Sequence, residues 1–280
     1  MRWASSKIWT TKSRASARST DVPAARLLLW FLSLSALAWC ALSFHHLPSA
    51  LELGLAFAGL FLYATLGVLW PQCGMYGAAL EKGKPGARAI ALTFDDGPHP
   101  VTTREVLAIL ARHDARATFF LLGHKVETHP EVVKEIRDAG HELGIHGFDH
   151  DHLFSLRSSR YARSQIERTQ RAIERACGLV PTLFRPPIGF ASHLTFRGAE
   201  QAQVELVAWT TRSLDGIASA RAESVAARVI ARLVDGAIVL MHDSSERDNF
   251  APASIAALPK ILEAMRERGF RAVGVGDLER

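Results

Sequence analysis

The sequence has little cysteine and no disulfide framework. Its 280 residues include three cysteines, Cys40, Cys73 and Cys177, which lie far apart and form no CxxC pair. Such spacing provides neither a disulfide scaffold nor a redox motif. A hydrophobic content of 48% is enough for a substantial core. We therefore expect a fold that does not depend on disulfide bonds, in keeping with the reducing side of a membrane.

Acidic residues are almost absent from the N-terminus. One acid, Asp21, stands among six basic residues there, and the chain as a whole has a pI near 9.4. The segment has no recognition motif for nucleic acid, so we predict no nucleic-acid partner. A membrane explains the charge better. The six basic residues are Arg2, Lys7, Lys12, Arg14, Arg18 and Arg26.

Two long apolar runs follow this basic segment. Residues 27–44 are apolar with only serine interruptions, and residues 51–70 form a second run with Glu52 near its start. Each run has about the 20 residues that a helix needs to cross roughly 30 Å of hydrocarbon. The short link between them contains Pro48 and no lysine or arginine. This pattern predicts a transmembrane helical hairpin that contacts membrane lipid.

The charges beside the hairpin predict its orientation. Lys82, Lys84 and Arg88 follow the second run, so both flanks are basic. By the positive-inside rule, both flanks are cytoplasmic. We expect a multi-pass protein of the inner (cytoplasmic) membrane, with a basic tail (1–25), two transmembrane helices (26–70), a linker (71–87) and a domain (88–280) that faces the cytoplasm. Two alternatives stay open: a signal peptide, although no convincing small-x-small cleavage site is present, or a single span that places the domain outside.

Short apolar runs alternate with amphipathic ones from residue 88 onward. The predicted strands cover 89–94, 117–121, 142–145, 183–184, 205–209, 237–241 and 271–273, with six helices between them. Such alternation predicts an α/β domain with a mainly parallel sheet. About 190 residues are too few for a complete eightfold barrel, so we expect a distorted (β/α) barrel of about seven strands. Chemistry in such barrels collects at the carboxyl ends of the strands.

Acids and histidines follow two of these strands. Asp95 and Asp96 end the first strand, and Gly97 with the following proline breaks the strand alternation, so both acids can face one pocket. Two adjacent carboxylates repel each other unless a cation or a proton intervenes. His146 and His150 follow the third strand.

One carboxylate with two imidazoles leaves coordination positions open, as in catalytic metal sites. We expect one divalent ion, with zinc the natural choice and other divalent ions possible. His152 is an alternative ligand with less favourable spacing. The stretch from His141 to His146 is one residue too long for the H-E-x-x-H pattern, so that motif is excluded.

Three further strand ends carry polar groups. Arg185 is followed by two prolines, which have no N–H, so the first free backbone donors are those of Ile188 and Gly189. Such donors can stabilise an oxyanion, and the arginine can pair with a carboxylate. Asp215 and His242 follow later strands. A nearby carboxylate raises the pKa of a histidine, which then can act as a general acid.

Together these motifs resemble the polysaccharide deacetylase family with the NodB homology domain (carbohydrate esterase family four). The matching segments are 93–98, 146–150, 185–189, Asp215 and 240–242, in the family's order. The resemblance implies a distorted barrel that removes an acetyl or similar acyl group from an amino sugar. It also implies a role for each residue: catalytic base, Asp95; metal ligands, Asp96, His146 and His150; orienting cation, Arg185; partner of the acid, Asp215; and general acid, His242.

Three residues depart from the family pattern. Gly147 stands where a serine or threonine is usual, Ile188 where an aromatic is usual, and Gly216 where a tryptophan is usual. The missing rings predict a less enclosed sugar site. Two substrates stay open: an N-acetylated polysaccharide outside the cell, or an undecaprenyl-phosphate-linked amino sugar at the inner leaflet. The alternative of another class is a catalytically inactive glycan-binding module.

Overall fold

The structure is a computed structural model that describes residues 22–43 and 49–278. It begins with two helices, α1 (Ala24–Leu42) and α2 (Ala50–Leu69). Within these helices only Gly67 is buried. Each is long and apolar enough to cross a membrane, with a mean hydropathy of 1.7. Helix α1 lies near the N-terminus, where a signal sequence would have the same length and hydropathy. Most of the predicted basic tail and the link around Pro48 lie outside the described residues.

A single parallel sheet forms the centre of the rest of the chain. Its order is β5-β4-β3-β2-β1-β7-β6, and β8 pairs with the first half of β1. The sheet is a curled half-barrel, which confirms the predicted distorted barrel of about seven strands. The strands are β1 (Ala89–Asp95), β2 (Thr118–Leu121), β3 (Glu142–Ile145), β4 (Leu183–Phe184), β5 (Glu205–Leu206), β6 (Thr211–Arg212), β7 (Ile238–His242) and β8 (Arg271–Val273).

Helices connect these strands. The predicted strand 205–209 is shorter in the structure, where β5 covers only its first two residues. The Val207 N–H still donates to the Phe184 carbonyl of β4, but the Ala208 N–H donates to the Leu80 carbonyl. Helix α4 was not predicted, since six residues are too few to show a helical period. The helices are α3 (Thr102–Arg112), α4 (Gly123–Thr128), α5 (Pro130–Asp138), α6 (Ser159–Cys177), α7 (His193–Gln201), α8 (Ala222–Ile230) and α9 (Ala253–Glu267).

Strand β1 divides its side chains between two cores. Ile90, Leu92 and Phe94 belong to the large cluster between the sheet and the helices, whereas Ala89 and Ala91 belong to the cluster inside the half-barrel. Successive strand residues face opposite sides, so positions 93 and 95 continue the interior face. The alternation therefore directs the last residue of β1 into the barrel interior.

The stretch predicted as a linker, 71–87, is attached to the domain. The Leu80 N–H donates to the Leu206 carbonyl on β5, and the Gly83 N–H donates to the Gly236 carbonyl just before β7. Because these partners lie near opposite ends of the strand order, residues 80–83 lie across the opening between the two edges of the half-barrel.

Candidate active site

The acid pair lies where β1 ends. Asp95 is the last residue of the strand, and Asp96 has a φ of +73°, in the left-handed region that breaks the strand alternation. Both carboxylates are consequently buried at the same edge of the sheet. Gly97 follows because a Cβ there would lie 2.4 Å from a carboxylate oxygen of buried Asp243. The turn predicted from the sequence thus has a steric reason for its glycine.

Arg185 fills the barrel interior beneath Asp95. Its guanidinium is fully buried, and Nη1 donates to Asp95 Oδ1 at 2.8 Å and to Thr93 Oγ1 at 2.7 Å. The remaining nitrogens donate to the carbonyls of Val207 and Ala208, and the group lies 4.3 Å from the centre of the Phe120 ring. A buried ion pair needs such complete hydrogen bonding to offset its desolvation. Arg185 therefore holds Asp95 in one orientation.

Asp96, His146 and His150 converge on one buried point. Asp96 Oδ1 lies 3.4 Å from Nε2 of each histidine, and the three ligand atoms lie within 4.8 Å of one another. Within the described residues this oxygen has no hydrogen-bond donor. Burial, together with the charge of Asp95, raises the pKa of Asp96 to about 7, and burial lowers the pKa of each histidine to about 3. Neutral imidazoles facing a buried carboxylate fit a divalent metal ion.

The second nitrogens of the two imidazoles differ in their surroundings. His146 Nδ1 lies 2.9 Å from the Arg185 carbonyl, which can only accept, so this nitrogen carries the proton and Nε2 presents its lone pair. His150 Nδ1 lies 3.4 Å from Glu246 Oε2 but makes no hydrogen bond within the described residues, whereas His152 Nε2 lies 2.8 Å from the same oxygen. His152, the alternative ligand, thus lies on the far side of His150 from Asp96, beside Glu246.

The loop that carries the two histidines is tied to α6. Gly147 has a φ of +89°, which favours glycine at this position. Gln165 Oε1 accepts from the N–H groups of Phe148 and Asp149 at 2.9 and 3.2 Å. Arg168 also lies 3.7 Å from the centre of the Phe148 ring. Gln165 therefore supports the loop that lacks the usual hydroxyl side chain after His146.

His242 and Asp215 form the second charged pair of the site. His242 Nδ1 lies 2.9 Å from Asp215 Oδ1, and the His242 backbone N–H donates to Oδ2 at 2.8 Å. Burial would lower the pKa of His242, but the charge and hydrogen bond of Asp215 outweigh it and raise the pKa to about 10. Gly216 permits this packing, since a Cβ there would lie 2.9 Å from the imidazole ring. The imidazole is therefore protonated at neutral pH.

The turn after β4 supplies a backbone donor. Ile188 has a φ of +60°, and the Gly189 N–H already donates to the Pro186 carbonyl at 2.9 Å. Of the two donors predicted from the sequence, the Ile188 N–H is the one without a described acceptor. A Cβ on Gly189 would lie 2.3 Å from the Trp209 ring. Trp209 is a half-buried aromatic beside this turn, although Ile188 and Gly216 replace the family's usual rings.

Sequence reasoning missed three supporting residues. Gln165 and Glu246 contact the histidine loop, and buried Lys125 holds the loop after β7 by donating to Ser244 Oγ, the Ser245 carbonyl and Asp248 Oδ1. Glu246 follows a predicted strand end by five residues, so the strand-end rule could have found it. The positions of Gln165 and Lys125 on helices carry no such signal.

A curled half-barrel with acids and histidines at its carboxyl edge is the arrangement of the carbohydrate deacetylases. The chain belongs to the polysaccharide deacetylase family, as first expected from the motifs: residues 82–207 match the family Polysaccharide deacetylase. It is 35% identical over 195 residues to a peptidoglycan-N-acetylglucosamine deacetylase of Bacillus cereus, which covers 69% of this chain and 89% of that protein.

Other relatives differ in their printed substrates. The chain is 31% identical to a chitooligosaccharide deacetylase of Sinorhizobium fredii, covering 70% of this chain and 94% of that protein. It is also 36% identical to PgdA, a peptidoglycan-N-acetylglucosamine deacetylase of Listeria monocytogenes, covering 71% of this chain but only 40% of that longer protein.

Two solved structures bear on metal binding and activity. A family 4 acetyl xylan esterase of Clostridium thermocellum, in complex with a cobalt ion, aligns with a TM-score of 0.62 at 30% identity, covering 68% of this chain and 89% of that one. A CE4 family pseudoenzyme of Bacillus anthracis aligns with a TM-score of 0.65 at 29% identity, covering 72% and 68%. Membership of the fold therefore does not guarantee activity, and the residues of the site have to be considered individually.

Proposed function

We propose that this protein is a metal-dependent hydrolase that removes an N-acetyl or similar N-acyl group from an amino sugar of a glycan. The observation that carries the proposal is the meeting of three groups at one sheet edge: the Asp96–His146–His150 cluster, the buried Asp95–Arg185 pair and the His242–Asp215 pair. The activities of the relatives on peptidoglycan and chitooligosaccharides support the substrate class.

Asp96, His146 and His150 are the residues that would hold the metal ion. Their oxygen and nitrogen atoms suit zinc and other divalent ions. The Arg185 carbonyl fixes the proton of His146 on Nδ1, and the Glu246 carboxylate lies 3.4 Å from Nδ1 of His150. When bound, the ion supplies Lewis acidity to the amide carbonyl and to a water molecule.

Asp95 is the base in this proposal. Its carboxylate, oriented by Arg185, accepts a proton from the water that attacks the acyl carbon. The Ile188 N–H donates to the carbonyl oxygen as that oxygen becomes negative, which stabilises the tetrahedral transition state. Asp96 and Asp95 are chemically alike, but one is surrounded by imidazoles and the other by a guanidinium. Their surroundings therefore assign them different roles.

His242 is the general acid. Because Asp215 keeps the imidazole protonated at neutral pH, His242 can donate a proton to the amine nitrogen as the carbon–nitrogen bond breaks. The amine then leaves as the free amino sugar and the acyl group as a carboxylic acid. An inactive glycan-binding module would not need this complete set of base, acid and ligand residues, so the arrangement favours an enzyme.

A lipid-linked amino sugar at the inner leaflet is the second candidate substrate. The two apolar helices favour it, since their exposed surfaces suit a bilayer and would keep the domain beside the membrane. We propose that α1 and α2 form a transmembrane hairpin of the inner membrane, with the domain in the cytoplasm. Alkaline phosphatase fused to the C-terminus should then be inactive and a cytoplasmic reporter active. The reverse result would place the domain outside and leave the exported polysaccharide as substrate.

The enzymatic proposal is tested with purified full-length protein and N-acetylated chitooligosaccharides. We expect acetate release, its loss with a chelator, and its recovery on adding zinc or another divalent ion. Asp96→Ala should lose both bound metal and activity, whereas Asp138→Asn, an exposed carboxylate on α5, should retain both. Full metal occupancy in Asp96→Ala would refute Asp96 as a ligand. Acetate release that is insensitive to metal removal would refute metal dependence.

A further inference from the structure

The base of the helical hairpin is bound to the chain that enters the domain. Arg26 on α1 donates from Nε to the Met75 carbonyl at 2.9 Å and from Nη2 to the Gly74 carbonyl at 3.1 Å. Tyr76 donates from its hydroxyl to the Ala64 carbonyl of α2 at 2.8 Å. Gly67 is buried because Met75 packs against it. These bonds join α1, α2 and residues 74–76 into one unit, which we call the joint.

The joint contacts the domain next to the turn that supplies the backbone donor. The Ala191 N–H donates to the Val68 carbonyl in the last turn of α2 at 3.1 Å, and Ala191 follows Gly189 by two residues. Gln72 donates to the carbonyl of Trp209, whose ring lies against Gly189. Both contacts follow the carboxyl ends of strands. The end of α2 is therefore attached to the catalytic edge of the sheet and not to its opposite edge.

Exposed apolar residues lie on other loops of the same edge. Leu153 and Leu156 follow β3 and are 52% and 72% exposed, and Leu214 and Ile217 follow β6 and are 47% and 59% exposed. Leu214 has a φ of +60°. It lies in the sequence between Ser213 and Asp215, whose side chains are fully buried. We call these four residues the apolar rim. They flank the loop of the metal cluster on one side and the partner of His242 on the other.

We propose that the apolar rim rests on the surface of the phospholipid bilayer that holds α1 and α2, so that the active site works on sugars at the membrane surface. The inference rests on the proposed membrane insertion of the hairpin. We assign the bilayer as the surface that the rim contacts because α2, which the bilayer would hold, meets the domain at the same sheet edge that carries the rim. Exposed Trp70 at the end of α2 has the amphipathic ring typical of the membrane interface.

This arrangement selects a class of substrate. Confining the site and the sugar to one surface makes their encounter effectively local, which favours an N-acylated amino sugar carried by a lipid. A long soluble glycan gains nothing from the same confinement. The absent aromatic rings at positions 188 and 216 fit this class, since attachment to the membrane replaces part of the grip that stacking gives to a free chain.

The position of the rim is measured by spin labelling in lipid nanodiscs that contain phosphatidylethanolamine and phosphatidylglycerol. The background is the full-length protein with exposed Cys40 and Cys73 replaced by alanine, since Cys177 is buried. Single labels are attached at Leu156→Cys and Ile217→Cys. Matched controls are Val180→Cys and Val234→Cys, which are 49% and 43% exposed and precede β4 and β7, at the opposite edge of the sheet.

Labels on the rim should be several-fold more accessible to oxygen than to a water-soluble nickel chelate, and the control labels should show the reverse. Equal, water-like accessibility at all four sites would overturn the inference. A label at Leu34→Cys, near the middle of α1, reports insertion of the hairpin. If that label is exposed to the chelate, the inference and the membrane proposal both fail.

A kinetic measurement separates this inference from the enzymatic proposal. A ten-residue glycine-serine insertion between Trp70 and Pro71 should loosen the joint without touching the catalytic groups. We expect at least fivefold lower deacetylation of a synthetic N-acetylglucosaminyl lipid in nanodiscs and unchanged deacetylation of soluble chitooligosaccharide. Unchanged rates on both substrates would contradict the inference. Absence of activity on both substrates in the unmodified protein would instead refute the proposed deacylase function.

Discussion

Replacing Asp215 with asparagine removes the charge that keeps His242 protonated. The asparagine side chain retains an oxygen that can accept from the His242 backbone N–H, so the local shape is preserved. In the native protein the pKa of His242 rises from the ordinary 6.5 to about 10. Since each tenfold change in proton affinity corresponds to about 1.4 kcal/mol, the surroundings of His242, with Asp215 as the largest favourable contributor, stabilise the imidazolium by on the order of 5 kcal/mol.

Burial, which lowers the pKa of His242, remains in Asp215→Asn, whereas the largest opposing influence, the charge and hydrogen bond of Asp215, is lost, so the pKa falls. A larger fraction of the imidazole in Asp215→Asn is then neutral at pH 7, and a neutral imidazole cannot protonate the leaving amine. We expect the rate of acetate release at pH 7 to fall about 10²–10⁴-fold. In a pH–rate profile, the basic limb should move from the region near pH 10 to lower pH.

The same substitution changes how stability depends on pH. A histidine whose pKa is raised by folding contributes stability that is complete below about pH 6.5 and disappears as the pH rises towards 10. Denaturation of the native protein should therefore show a loss across this window that is absent in Asp215→Asn. Asp138→Asn, whose carboxylate is exposed, serves as the control and should match the native protein. A basic limb that stays in place in Asp215→Asn would refute the pairing of Asp215 with the general acid.

Three further substitutions test other parts of the site. Asp95→Asn should lower acetate release about 10²–10⁴-fold and leave metal content unchanged, whereas loss of metal would contradict the separate roles of the two acids. Glu246→Gln should weaken metal binding about 10–100-fold in a chelator competition, whereas the exposed control Glu263→Gln should not. Equal metal affinities in the two variants would show that Glu246 does not support His150. Gly189→Ala should destabilise the fold by about 1–3 kcal/mol. The loss of stability should be larger than that of Gly178→Ala, because Gly178 has a similar φ of +78° but open space around it. Equal losses in the two variants would exclude the contact with the Trp209 ring.

Prediction from the sequence was most accurate for acidic and histidine residues that directly follow a predicted strand. The first and third strands were predicted to within a residue or two, and the structure brings Asp95, Asp96, His146 and His150 to one edge, as their positions after those strands implied. The family and the barrel were predicted correctly from the motifs and are confirmed by the comparisons. The catalytic and ligand roles stay predictions, because geometry alone does not measure turnover.

Features that depend on packing between distant segments escaped prediction. Gln165 lies on the buried side of α6, and its contact with the histidine loop exists only once the helix has docked. Leu80 takes the place of a strand partner for Ala208, so the strand predicted to reach residue 209 ends earlier. Lys125 is buried against a loop more than a hundred residues later. In each case the partner is set by tertiary contacts and not by a local pattern.

Anomalous X-ray scattering from crystals of the full-length protein, grown with zinc, tests the central claim most directly. The account predicts one peak at the zinc edge within bonding distance, about 2.0–2.2 Å, of Asp96, His146 Nε2 and His150 Nε2. It also predicts that Asp95 stays paired with Arg185 and does not bind the ion. An active protein whose crystals show no metal between these three residues, or show it bound elsewhere, would contradict the account.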